Sequence, residues 1–151
     1  MQKDLIKSKS FSDEGFLTMT DEAMKDFKVL IVEDQVEARA MLKNMLTERG
    51  VTQVFEASDG SEALKFIDSA FDFINVIICD WNMPKMSGVE LLRQLRTVDP
   101  DIPFLMITGR SDMESVIEAK ASGVTGYIRK PFSPVQLEEK LKVVARKQNA
   151  A

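Results

Sequence analysis

Four short apolar runs in this chain each end in a polar side chain. Val29-Leu30-Ile31-Val32 runs into Glu33-Asp34, and Val76-Ile77-Ile78-Cys79 into Asp80. Phe104-Leu105-Met106-Ile107 runs into Thr108, and Tyr127-Ile128-Arg129 into Lys130. A fifth and weaker run lies at 53–57. Apolar runs of about four to eight residues, separated by helical patterns, read as buried parallel strands. Between them lie five stretches with helical spacing. Ala38, Met41, Leu42, Met45 and Leu46 form one stripe on the first, and Leu137, Leu141 and Val144 another on the last.

Each helical stretch opens with a capping-box pattern: Asp34 with Glu37, Asp59 with Glu62, Ser87 with Glu90, Ser111 with Glu114, and Ser133 with Gln136. Pro134 takes the first helical position after Ser133. Gly50 and Gly123 fall where a left-handed residue ends the first and fourth helices, and Pro100 follows the third. The predicted array is β1 (28–32), α1 (35–49), β2 (53–57), α2 (60–69), β3 (75–80), α3 (88–97), β4 (103–108), α4 (112–122), β5 (126–130) and α5 (133–147). Five βα units with right-handed crossovers give an α/β protein, a three-layer α/β/α sandwich. In such a sheet the ligand crevice lies beyond the carboxyl ends of the strands. Three acids, a hydroxyl and an ammonium are therefore expected at one edge, a set that suits a divalent cation and a phosphoryl group.

Composition narrows the function. With 151 residues, 44% hydrophobic and 29% charged, the chain reads as a single domain with a real core. A net charge of −4 and the lack of a basic stripe argue against direct nucleic-acid binding. The basic stretch 140–147 is interleaved with apolar residues and reads as a solvated helix face. The single cysteine, Cys79, cannot form an internal disulfide, so a reducing, cytoplasmic setting is expected. No segment approaches the roughly 20 apolar residues of a membrane span. The absence of histidine rules out a phosphohistidine relay, an imidazole base or a His-containing zinc site in this chain.

Residues 1–26 fall outside the array. They mix charges with Phe11, Phe16, Leu17, Met19 and Met24, and read as a flexible N-terminal extension, with a short helix at 20–26 and Met19 as an alternative start. A docking role for Phe11 and Phe16 is the sharper alternative. A domain at 27–148 with no output domain after it is the expected organisation.

The stretches Val29-Leu30-Ile31-Val32-Glu33-Asp34, Asp80-Trp81-Asn82-Met83-Pro84-Lys85-Met86-Ser87-Gly88, Ile107-Thr108-Gly109 and Tyr127-Ile128-Arg129-Lys130-Pro131-Phe132 together resemble the receiver domain of two-component response regulators. The Asp80-Trp81-Asn82-Met83-Pro84 stretch is most similar to stand-alone, CheY-like chemotaxis receivers. The resemblance implies a flavodoxin-like (βα)5 fold with strand order 2-1-3-4-5. It also implies Asp80 as phosphoacceptor and Mg2+ as cofactor, with Mn2+ as a substitute. Asp34 and Asp80 would bind the ion directly, Glu33 through water, and Asn82 through its backbone carbonyl.

By the same resemblance Lys130 would sit on the phosphoryl oxygens, Thr108 would donate its hydroxyl, and the Lys130-Pro131 bond would be cis. Thr108 and Tyr127 would form a switch, and Asn82 and Arg110 would tune hydrolysis; Arg110 is a departure, since chemotaxis receivers carry glutamate there. A sensor histidine kinase or histidine phosphotransferase would supply the phosphoryl group, and a downstream protein would read the α4–β5–α5 surface. The chain would be no enzyme beyond catalysing its own phosphorylation and dephosphorylation. A narrower alternative is a chemotaxis-type receiver that would act on a flagellar motor switch or serve as a phosphate sink.

Plainer readings stand beside these. Asp34 is also a helix cap, Asp80 a turn residue, Lys130 a solvated strand end, and Tyr127 an edge-strand aromatic packed on α4. An aspartyl-phosphate phosphatase or dehalogenase is disfavoured, because such enzymes want a second acid where Asn82 stands. A degenerate receiver that works without phosphorylation is the third reading. The intact acids, Asp80, Thr108 and Lys130 speak against it.

Overall fold

The computed structural model describes residues 26–69, 74–110 and 112–149. The strands are β1 (Lys28–Val32), β2 (Gln53–Ala57), β3 (Val76–Asp80), β4 (Phe104–Thr108) and β5 (Gly126–Arg129). The helices, numbered in chain order, are α1 (Val36–Glu48), α2 (Gly60–Ser69), α3 (Gly88–Val98), α4 (Met113–Ala121) and α5 (Pro134–Asn149). The extension 1–25, with Phe11, Phe16 and most of the helix expected at 20–26, lies outside the described residues.

All five strands are parallel, in the order β2-β1-β3-β4-β5. Alternation along each strand feeds two cores. Leu30, Val32, Ile77, Cys79, Phe104 and Met106 pack with Ala63 of α2, Leu91, Leu92 and Leu95 of α3, and Ala119 of α4. Val29, Ile31, Val76, Ile78, Leu105, Ile107 and Ile128 pack with Leu42 and Leu46 of α1 and Leu137, Leu141 and Val144 of α5. The sheet is thus covered on both faces, which is why its strands are apolar runs rather than alternating ones.

Most helix punctuation is local and was legible. Ser87 and Glu90 form a complete capping box on α3. Ser133 and Gln136 exchange bonds of 2.8 and 3.2 Å at α5. Asp59 accepts from Glu62 N at 2.8 Å, although Glu62 reaches back to Ser58 rather than to Asp59. Gly50 and Gly123 have φ of 94° and 95°, in the left-handed region where a Cβ is costly.

Two expected caps differ. Asp34 does not cap α1: the N-cap is Gln35, which makes no side-chain cap bond. The Asp34 carboxylate instead belongs to the acidic group described below. Ser111 lies outside the described residues, and α4 is capped by Asp112, whose Oδ2 accepts from Ser115 N at 2.9 Å.

The α1 stripe also divides. Leu42 and Leu46 are core, whereas Met41 is 56% exposed. Element ends shift by one or two residues from the expected ones, where terminal turns are loosest. The largest shift takes α5 on to Asn149, and β5 ends at Arg129, just before Lys130.

Candidate functional site

The carboxyl ends of β1 and β3 place three acids together. Glu33 continues the ladder one residue past β1, its N–H donating to Ala57 O at 3.1 Å. The turn is then pinned from two sides. Gln35 N donates to Glu33 Oε2 at 3.0 Å, and Arg39 Nη1 donates to Glu33 O at 2.7 Å. Arg39 in turn pairs with Glu56 at 3.1 Å. Glu33 and Asp80 are each only 6% exposed. Glu33, Asp34 and Asp80 each offer one carboxylate oxygen, and these three atoms lie within 4.8 Å of one another.

Such a group is costly without cations, because burial and like charge both disfavour ionisation. Burial pushes the Glu33 carboxyl above the usual range, and the Asp80 charge and a side-chain hydrogen bond with Asp34 push the same way; the Gln35 N–H and the Lys130 charge oppose them. Lys130 supplies an ammonium to the group, its Nζ 2.6 Å from Asp80 Oδ1. Lys130 is held by its own N–H, which donates to Thr108 O at 2.8 Å, and the Lys130-Pro131 bond is cis.

With all three acids ionised, the group keeps an excess of two negative charges over Lys130. Hard oxygen donors with that excess fit Mg2+ or Mn2+, and Mg2+ keeps several waters in its six-oxygen shell. Glu33, Asp34 and Asp80 are the side chains that would hold the ion.

Thr108, Tyr127, Asn82 and Arg110 form a second group beside the first. Thr108 is fully buried, and its Oγ1 accepts from Arg110 N at 2.9 Å. The Tyr127 hydroxyl donates to Arg110 O at 2.6 Å, and its partial burial raises the phenol pKa. The Tyr127 ring meets Trp81 edge-on, with centroids 6.5 Å apart and planes at 82°. Arg110 Nη2 donates to Asn82 Oδ1 at 3.3 Å, and its Cζ lies 5.1 Å from the Trp81 ring centroid. Tyr127, on the edge strand β5, packs on Trp81 and against the core cluster that includes Ala119 of α4.

Trp81, Arg39 and Asp112 escaped the sequence reading as separate contributors. Asp112 had a local signal, an acid one residue before a helical stretch; Arg39 had none, because its partners lie in other elements. The Cys79 thiol, fully buried, is pushed well up, first by burial and then by the Asp80 and Glu33 charges, so it is a poor nucleophile. Beside Glu33 and Lys130 opens a groove of ≈ 560 Å³, lined by Ala38, Met41, Leu42 and Met45 of α1 and by Ile107, Pro131 and Phe132. Among the described residues, no helix is long and apolar enough to cross a membrane.

The family described as response regulator receiver domain matches residues 29–142. The chain is 40% identical over 125 residues to chemotaxis protein CheY of Pseudomonas aeruginosa, covering 81% of this chain and 98% of that protein. It is 42% identical over 119 residues to chemotaxis protein CheY1 of Helicobacter pylori, covering 78% of this chain and 95% of that protein. Among solved structures, chemotaxis protein CheY4 of Vibrio cholerae superposes with a TM-score of 0.72 at 38% identity, covering 78% of this chain and 98% of that one. The acidic group at the ends of β1 and β3 and the 2-1-3-4-5 sheet thus sit in a chain that belongs to the response regulator receiver domain family, CheY-like in kind and part of two-component signalling.

Proposed function

We propose that residues 27–148 of this chain form a response regulator receiver that accepts a phosphoryl group on Asp80 and signals by protein–protein contact. The observation that carries this reading is the 2.6 Å pair between Lys130 Nζ and Asp80 Oδ1 beside Glu33 and Asp34. An Asp80 carboxylate oxygen attacks the phosphorus of a phosphohistidine on a kinase or phosphotransferase. The new O–P bond forms as the P–N bond breaks, and the imidazole leaves with its electron pair. Lys130 neutralises the oxygens of the group as it transfers, the usual role of lysine at phosphates. When bound, Mg2+ offsets the remaining charge on those oxygens.

Hydrolysis is the reverse burden: water attacks phosphorus, the Asp80–phosphorus link breaks, and inorganic phosphate departs. Asn82 and Arg110 flank that approach and tune it. The chain turns over no other substrate.

Phosphorylation replaces the single negative charge of the Asp80 carboxylate with a phosphoryl group carrying roughly −1.5 to −2 charges, which biases a two-state element made of Thr108 and Tyr127. The downstream partner reads α4–β5–α5. Met113 and Ile117, one turn apart on α4, are 74% and 58% exposed and supply apolar anchors there. The chemotaxis relatives favour a partner in motility signalling, and the setting is cytoplasmic.

Intact mass after incubation with acetyl phosphate tests this, with and without Mg2+, beside Asp80→Asn. One phosphoryl adduct that requires both Mg2+ and Asp80 supports the reading. No adduct from acetyl phosphate or from a histidine kinase would leave a phosphorylation-independent module.

A further inference from the structure

The apolar walls of the groove beside Glu33 and Lys130 take no part in the phosphoryl chemistry. Ala38, Met41, Leu42 and Met45 fall at i, i+3, i+4 and i+7 of α1 and form one wall, with Pro131 and Phe132 opposite. Met41 follows the core spacing there and still keeps 56% of its surface exposed. At ≈ 560 Å³ the groove falls among pockets that enclose a compact ligand, about 300–1,000 Å³, and has room for two side chains. An open apolar surface of this kind marks a contact site.

Three observations select its occupant. The first is the point of attachment. Phe27 is buried in the core that holds Leu42 and Leu46, so residues 1–25 are tethered on the sheet face that carries α1 and the groove. The second is reach. From Asp26 to Glu33 the path along β1 is about 23 Å at the strand rise. The stretch from Phe16 to Asp26 spans up to about 33 Å when extended, and Phe11 reaches further. The third is composition. Phe11, Phe16, Leu17 and Met19 are large apolar residues that the five βα units do not use. Residues 1–12 carry Lys3, Lys7 and Lys9 against Asp4, an excess of positive charge. The Glu33 end of the groove adjoins the acidic group, whose excess is negative, so the signs are complementary.

We infer that residues 1–25 dock back on their own domain, with Phe11 and Phe16 filling the groove between α1 and the segment after β5, and the lysines before Phe11 at the acidic edge. A tether this short gives an effective concentration on the order of mM, so a weak contact suffices. The docked segment covers the wall next to Lys130 and competes with any protein that approaches from the α1 side.

The test uses the full chain, isotope-labelled at its methionine methyl groups and followed by NMR. The Met41 and Met45 signals, assigned through Met41→Leu and Met45→Leu, report the groove; Met106, buried in the other core, is the control. Removing both rings with Phe11→Ala and Phe16→Ala should move the two groove signals and leave Met106 in place. Chymotrypsin, which cuts after aromatic residues, gives a second reading. Cleavage after Phe11 and Phe16 should be about tenfold faster in Met41→Lys than in wild type, because the protease takes the undocked population and a charge replaces an apolar contact. Met41 is exposed, and a thermal melt checks that each variant is folded. Groove signals that stay put without the rings, or equal cleavage in wild type and Met41→Lys, would overturn the docking and leave the groove to a separate partner. Groove signals that move with protein concentration in wild type would overturn it in favour of a second copy. No phosphoryl donor is used, so the outcome is independent of the reading of Asp80.

Discussion

Lys130 Nζ stands 2.6 Å from Asp80 Oδ1, yet the lysine side chain is 42% exposed and the carboxylate only 7%. The burden of this pair is therefore unequal. The lysine keeps much of its hydration, whereas the aspartate depends on its partner, with two further carboxylates nearby.

That inequality sets the signs of two substitutions. Asp80→Asn removes one like charge from the acidic group and should stabilise the metal-free protein by about 1 kcal/mol, or roughly 2–4 °C in Tm. Lys130→Ala should destabilise it by about the same amount, since an exposed partner contributes little more than that. Thermal melts in EDTA decide both. Destabilisation by Asp80→Asn would show that repulsion within the group is not what limits it.

Divalent cations should raise the melting temperature through the same acids. At a concentration about 100-fold above Kd, binding to the folded state alone adds roughly 2.7 kcal/mol. Melts over a Mg2+ titration should show this in wild type and should lose most of it in Asp80→Asn and Asp34→Asn. An equal rise in all three proteins would locate the ion elsewhere.

Glu33 makes the metal-free protein sensitive to pH. Its folded pKa is raised above the ordinary 4.5, first by burial and then by the Asp80 charge. Over the interval from 4.5 up to that raised value the folded state holds more proton than the unfolded one. The Glu33 contribution is therefore full below 4.5 and is lost as pH rises through the folded pKa. Melts in EDTA from acid to neutral pH should show this decline, and Glu33→Gln should flatten it. A steeper decline in Glu33→Gln would refute the assignment.

Gly88 lets α3 begin against the backbone of the acidic group. Its N–H donates to Trp81 O at 2.8 Å, and a Cβ there would come 2.5 Å from Asp80 O and 2.9 Å from Met106 Sδ. Gly88→Ala should cost about 1–3 kcal/mol, the usual range for overpacking. Gly109→Ala, where a Cβ meets nothing within 4 Å, should stay within about 0.5 kcal/mol. Urea titrations of the two variants compare them directly, and equal costs would mean that the Asp80 end of β3 yields easily.

The sequence by itself determined whatever depends on near neighbours along the chain. The strand cores, the left-handed turns at Gly50 and Gly123 and the caps at Ser87 and Ser133 are set within a few residues, so periodicity and residue type reveal them. The polar residues at four strand ends were legible for the same reason, and parallel pairing brings Glu33, Asp34, Asp80 and Lys130 to one edge.

Tertiary structure alone decided how side chains from different elements meet. Asp34 carries a good capping pattern with Glu37, yet its carboxylate lies with those of Glu33 and Asp80, and the cap passes to Gln35. Met41 follows the core spacing but lines a groove, because the gap between α1 and the segment after β5 depends on both elements at once. Arg110 is marked in the sequence by its place two residues after Thr108, but only folding sets it against Asn82, Trp81 and Tyr127, residues 28, 29 and 17 positions away. Local free energies choose the elements; the contacts that make the site exist only after the sheet has closed its order.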